Sequence, residues 1–340
     1  MKLSLPFFKK KEEFPDQFFA LDLGGKILKV FVLQSVNGVV SPLGSRRITR
    51  AESLEEDSAN LKQAVEELRG DFPDVASTAV VGVSGPYSLA FTTVVRSSTS
   101  KDVGELVSHA RDMALRSAEE ELRENLGEPR LKVSGLEAEI LEVREVDKLE
   151  VFLFTSFAAE PYLSEQAQML KRAGLSLWGF SSLPFNLVNE LSKSHSSEEG
   201  EELNALIFDV GGTKTEVSLA FGGQLMDAKS FWWEFKENGN PAAFLDFWLE
   251  AVSAALSEFE GVETFPAKIY LTGGAASFPG LLEVVASYPW SRDHHFEVAP
   301  EIVPLEEDRL PISLGQVALR VKKETSVEAV GNEELSEEDK

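Results

Sequence analysis

The chain has 340 residues, 43% of them hydrophobic and 26% charged, with a formal net charge of −24 and no cysteine. This is the composition of a globular protein with enough chain for two lobes. The acidity argues against a nucleic-acid-binding face, which needs a basic stripe, and the missing cysteine excludes disulfides and cysteine-ligated zinc.

Taken in chain order, residues 1–15 read as a flexible N-terminal extension. Its lysines, Lys9 to Lys11, follow the apolar Phe7 and Phe8, the reverse of a secretory signal. No apolar run approaches the ~20 residues that span a bilayer, so the body of the chain is expected in the cytoplasm. Phe18-Phe19-Ala20-Leu21-Asp22-Leu23-Gly24-Gly25 then reads as a strand ending in Asp and a glycine turn, with Lys26 at the tip. It runs on into a second strand from Ile27 to Leu33. Val80-Val81-Gly82-Val83-Ser84-Gly85 reads as a further strand and turn. A helix over 102–122, strands over 136–143 and 149–157 and a helix over 160–173 follow, then Ala173-Gly174-Leu175 before a strand.

The first pattern returns near two-thirds of the way along. Ala205-Leu206-Ile207-Phe208-Asp209-Val210-Gly211-Gly212 leads into Thr213-Lys214-Thr215-Glu216-Val217-Ser218-Leu219. In both copies the glycines open a strand, not the helix that follows a P-loop or a dinucleotide-binding turn. A glycine-tipped hairpin can aim backbone N–H groups at phosphate oxygens, and an aspartate at the strand end can hold a hydrated magnesium ion beside them. One such hairpin is an ordinary feature. Two copies suggest related lobes that share a ligand in the cleft between them. A third strand, Lys268 to Thr272, ends in Gly273-Gly274-Ala275, where a flat base could approach the backbone. Asn240-Pro241 caps a helix whose Phe244, Phe247, Trp248, Ala251, Ala255 and Phe259 recur at helical spacing and are expected in the core. Residues 322–340 are glutamate-rich and read as an acidic disordered tail.

These motifs resemble those of the actin, heat-shock ATPase and sugar-kinase superfamily, and within it the PilM/FtsA-like branch. Residues 22–29 resemble the first phosphate motif, 209–215 the second and 271–280 the adenosine motif, within a resemblance that covers 16–321. It implies an α/β, actin-like two-lobed fold with ribonuclease-H-like lobes. The first lobe is expected over 16–100, an inserted partner-binding α+β domain over 101–180 and a connecting helix over 181–200. The second lobe is expected over 201–310 and a C-terminal connecting helix over 311–321. The cofactors implied are ATP and Mg2+, with Asp22 and Asp209 on the metal. Gly24, Gly25, Lys26, Gly211, Gly212, Thr213 and Thr215 would surround the phosphates, and Gly273, Gly274 and Ala275 the nucleoside. Only 221–267 separates the second hairpin from the adenosine motif, so the second lobe is expected to have a reduced subdomain and weak or absent hydrolysis.

The tail lacks the amphipathic face of an FtsA membrane helix, which favours the PilM side of the branch. That side implies a cytoplasmic scaffold of type IV pilus or related secretion assembly. It would be peripheral to the inner membrane and hold the tail of a PilN-like inner-membrane protein, with self-association as a further option and no nucleic acid or metabolic substrate. The alternatives are an FtsA-like division protein and a sugar kinase. Asp209-Val210-Gly211-Gly212-Thr213-Lys214 resembles a sugar-kinase phosphate motif, but the Asn-Asp pair of those enzymes does not occur. The four histidines lack metal-ligand spacing, and His294-His295 is expected as an exposed pair.

Overall fold

The computed structural model describes residues 14–37, 39–97, 102–145, 148–198, 200–234, 241–305, 309 and 312–316. The expected acidic tail lies outside these residues, as does the expected extension apart from Phe14 and Pro15. Phe14 is not part of a loose lead-in. It is buried, with its ring edge-on to Phe18 at 4.8 Å and Trp178 at 4.9 Å.

Two five-stranded sheets form the body. In the first, β1 (Gln17–Leu23), β2 (Ile27–Val36), β3 (Val39–Thr49), β4 (Thr78–Val83) and β8 (Ser176–Ser182) lie in the order β3-β2-β1-β4-β8. In the second, β9 (Ala205–Val210), β10 (Lys214–Phe221), β11 (Gln224–Trp232), β12 (Lys268–Thr272) and β13 (Glu301–Pro304) lie in the order β11-β10-β9-β12-β13. The pairings match one for one. Each sheet has an antiparallel three-strand meander followed by two parallel additions. The central strands β1 and β9 are nearly continuous apolar runs because both of their faces are covered.

On one face of the first sheet Phe19, Leu21, Leu28 and Val30 pack on α1 (Leu54–Asp71) and α3 (Glu160–Arg172) through Leu61, Val65, Leu68, Leu163 and Met169. Each leucine buried there contributes roughly 2 kcal/mol. α1 begins at Ser53, whose hydroxyl accepts from the Glu56 N–H at 3.2 Å, with three acidic residues in the first turn suited to the positive end of the helix. On the other face Phe18, Phe31 and Trp178 meet Leu183 of α4 (Leu183–Glu198) and Leu314 of the helical residues 312–316. α4 then continues under the second sheet, where Phe185, Val188 and Leu191 pack on Ile207, Ala220 and Leu225.

The inserted unit is a three-stranded sheet, β5 (Ser88–Ser97), β7 (Leu149–Ala159) and β6 (Val133–Glu145) in the order β5-β7-β6, under α2 (Val103–Leu126). Its limits differ from the expected 101–180. β5 pairs with β7 and so belongs to the insert, while α3 and β8 belong to the first lobe. Only its pairing assigns β5 to the insert. The far face of β7 carries Phe154, stacked on Phe185 of α4 at 3.7 Å.

Between β11 and β12 the second lobe has one described helix of note, α5 (Pro241–Ser257), whose Leu245, Trp248, Leu249 and Val252 enter the core with Phe208 and Leu271. Phe247 was expected in that stripe but is 62% exposed, because it sits one position around the helix from Trp248. The short helices α6 (Leu281–Ser287) and α7 (Trp290–Asp293) follow β12. His294, expected in an exposed pair, is buried, with its Nε2 2.8 Å from Ser253 Oγ.

Candidate functional site

Both glycine hairpins form as expected, and the residues that face their aspartates carry opposite charges. In the antiparallel ladder of β1 and β2, Asp22 stands directly across from Lys29, and Lys29 Nζ donates to Asp22 Oδ2 at 3.0 Å. The same position in the ladder of β9 and β10 places Glu216 across from Asp209. The second hairpin closes with Gly211 N–H donating to Lys214 O at 2.8 Å. The Gly273-Gly274 loop is fastened to it by Ala275 N–H donating to Val210 O at 2.8 Å. Gly273 has φ +98°, and a Cβ there would stand 2.4 Å from both Asp209 Oδ1 and Val210 O. Glycine is required at that position for this close packing. At Gly274 a Cβ would meet open space.

The structure brings the two hairpin tips, Asp22, Asp209, Gly274 and Ala275 to one cavity of about 350 Å³. Gly273 lines a smaller adjoining cavity of about 200 Å³ that shares Lys29, Asp209 and Gly274. Thr215 lies elsewhere. It is fully buried and accepts from Trp248 Nε1 at 2.9 Å, so its hydroxyl serves the core of the second lobe. The sequence reading missed Lys29, Lys214 and Ser84, which also line the larger cavity. The spacing of seven from each aspartate carried the signal for Lys29 and Glu216. In a tight hairpin it marks the residue that faces the aspartate.

The tips touch. A Cβ on Gly25 would be 2.0 Å from Thr213 Oγ1, and one on Gly212 2.9 Å from Lys26 Cδ. Further bonds cross the cleft. Lys26 Nζ is 3.3 Å from Glu234 Oε1, Gly85 N–H donates to Glu216 Oε1 at 2.9 Å, and Lys214 bonds Ser84. Burial works against the Lys29 ammonium, but the Asp22 and Asp209 charges and the Asp22 hydrogen bond outweigh it and leave its pKa above the ordinary lysine value. Burial pushes Asp209 up, against the opposing pull of Lys29, while the Asp22 charge adds to the rise. Burial also pushes Glu216 up to about 7, against Lys214 and the Gly85 N–H.

Lys26, Lys29 and Lys214, the hydroxyls of Ser84 and Thr213 and the glycine tips therefore fit a phosphate-bearing anion. A divalent ion on Asp22 and Asp209 fits poorly, because the Lys29 ammonium already holds the Asp22 carboxylate. Among the described residues no group of three or more His, Asp or Glu is placed to hold a metal.

A second and larger cavity, about 1220 Å³, opens between the first lobe, the insert and the hairpin tips. Its centre is aromatic. Tyr87 stacks on Tyr162 at 4.8 Å and meets the half-exposed Trp232 edge-on at 5.4 Å. Arg50, Arg130, Lys132, Glu128 and Glu165 also line it, and Arg50 is held by Asp57 at 2.8 Å and Glu165 at 3.1 Å. Burial and the Asp22 charge raise the Tyr162 hydroxyl pKa above the ordinary tyrosine value. Asp22, Gly24, Gly25, Ser84, Thr213 and Lys214 line both cavities, which therefore adjoin at the hairpin tips. The insert also ties to the second lobe. Thr92 Oγ1 donates to Leu225 O at 2.6 Å, and Lys229 lies 3.7 Å from Glu121 of α2.

No protein-family model matches the chain, and no curated protein matches it at a significant level. Solved structures do. A chain of the PilM-PilN type IV pilus biogenesis complex is similar with TM-score 0.60 and 16% identity, over 91% of this chain and 99% of that one. The ethanolamine utilization protein EutJ of Carboxydothermus hydrogenoformans follows with TM-score 0.48 and 10% identity, over 92% of each chain. A Bacteroides thetaiotaomicron protein with an actin-like ATPase fold has TM-score 0.46 and 13% identity, over 88% of this chain and 95% of that one. The overall fold is thus shared with a chain of the PilM-PilN complex along nearly the whole length of both, and the chain has the actin-like two-lobed fold.

Proposed function

We propose that the chain is an actin-like scaffold of a type IV pilus or related secretion assembly. It works in the cytoplasm under the inner membrane and holds the tail of a PilN-like membrane protein. The observation that carries this reading is the large groove at the junction of first lobe, insert and hairpin tips. Its Tyr87, Tyr162 and Trp232 offer flat apolar surface, and its arginines and glutamates offer rim contacts, a combination suited to a short peptide segment. The likeness to a chain of the PilM-PilN complex supports it. A nucleotide in the smaller cavity acts as a structural ligand that stabilises the closed lobes by mass action, with hydrolysis near background.

The test is fluorescence anisotropy with a labelled peptide, the cytoplasmic tail of a PilN-like inner-membrane protein from the same organism. Wild type should bind it, and Tyr162→Ala and Trp232→Ala should each weaken binding by about tenfold or more, as buried aromatic anchors do. Equal binding by wild type and both variants would remove the groove from the account. No binding by wild type would remove the PilN-like partner. Brisk ATP turnover that depends on an added sugar would restore the kinase alternative.

A further inference from the structure

The two hairpins have the same backbone and the same Asp-x-Gly-Gly sequence, yet Lys29 stands across from Asp22 where Glu216 stands across from Asp209. The Lys29 ammonium is bonded to Asp22 at 3.0 Å and also experiences the Asp209 charge from the opposite lobe. Lys29 and both aspartates line the same cavity, together with Lys26 and Lys214. A divalent ion held by the two carboxylates would have to displace a tethered cation that is present at fixed high effective concentration. Phosphate oxygens, by contrast, find lysine ammoniums, the Thr213 and Ser84 hydroxyls and the glycine tips already in place.

We propose that Lys29, paired with Asp22 and lining the same cavity as Asp209, is the resident cation of the cleft, and that the cleft takes a phosphate-bearing ligand without a divalent metal. This rests on the nucleotide part of the proposed function and is independent of the partner groove. The lysine supplies one positive charge against the two carboxylates whether or not ligand is present, with Lys26 and Lys214 lining the same cavity. The incoming phosphates then meet positive charge supplied by the chain itself.

Two titrations test it. In the first, Mn2+ alone is followed by electron paramagnetic resonance. Wild type should bind none at the cleft. Lys29→Gln should gain a site, and adding Asp22→Asn to that variant should abolish it. Mn2+ binding by wild type that Asp22→Asn removes would overturn the proposal, as would a folded Lys29→Gln that gains no site. In the second, calorimetry compares ATP binding to wild type in excess chelator and in excess Mg2+. The two affinities should agree within about twofold, and a tightening by Mg2+ of about tenfold or more would overturn the proposal. Circular dichroism checks the variants. If Lys29→Gln fails to fold, the wild-type Mn2+ and ATP measurements decide alone. Absence of ATP binding under both conditions would overturn the ligand half of the proposal and the nucleotide half of the proposed function. Capture of the partner peptide would still stand on its own measurement.

Discussion

The first and second hairpins differ in where their charges are balanced. The first is neutralised within itself, since Asp22 faces Lys29 on the neighbouring strand of its own ladder. The second brings Asp209 and Glu216 together and takes part of its compensation from the other lobe: the Lys29 charge and the Gly85 N–H, with Lys214 the cation of its own tip. One backbone pattern used twice thus yields one self-sufficient element and one dependent on its neighbour. Separating the lobes would remove that part of the compensation.

The strongest way to break this comparison is Lys29→Met. It leaves the Asp22 and Asp209 carboxylates in the cleft without their shared cation, and removal of one partner from a buried pair costs about 3–5 kcal/mol. Urea denaturation at neutral pH should show a loss near the upper part of that range if Lys29 serves both lobes. A loss below about 1 kcal/mol, as for an exposed pair, would mean that it serves neither.

Glu216→Gln should act in the opposite direction. The folded pKa of Glu216, about 7, lies above its ordinary value of 4.5, so the folded state holds a proton that the unfolded chain releases. Stability from this group is fully present below the unfolded pKa and is lost as pH rises through about 7. The amide keeps an oxygen for the Gly85 N–H and cannot ionise. The variant should therefore match wild type near pH 4.5 and exceed it by about 3 kcal/mol above pH 7. Denaturation curves between pH 5 and 9 that stay parallel for the two proteins would contradict the assignment.

Gly25→Val tests the contact between the tips. Its Cβ would stand 2.0 Å from Thr213 Oγ1, so the hairpins must separate, at a cost of about 2 kcal/mol for overpacking. Thermal melts should show that loss, and pairing it with Thr213→Gly should recover most of it. Lys26→Ala should have the smallest effect. Its bond to Glu234 at 3.3 Å joins two substantially exposed side chains, so less than about 1 kcal/mol should be lost, with the difference vanishing in high salt.

The sequence by itself determined the pair of hairpins, the main elements between 102 and 173 and the two-lobed class. Each of these depends on local chemistry: an apolar run that must be buried, an aspartate at its end, glycines at a tight turn. It also placed the tip residues at one site, because two copies of a motif imply two facing elements. What only the tertiary structure decided are relations between chain segments far apart in sequence. Residues 88–97 fall within the expected first lobe until their pairing with β7 is known. Thr215 reads as a phosphate ligand until Trp248, from a helix thirty-three residues on, takes its hydroxyl. Gly273 reads only as part of a glycine turn until Asp209 and Val210 are seen to stand where a side chain would be. Lys29 reads as an unremarked strand lysine until the fold sets it beside one aspartate and within the field of another on the opposite lobe. Burial periodicity and turn chemistry are written in neighbouring residues, whereas charge balance across a cleft depends on which side chains the packing of two sheets brings into range.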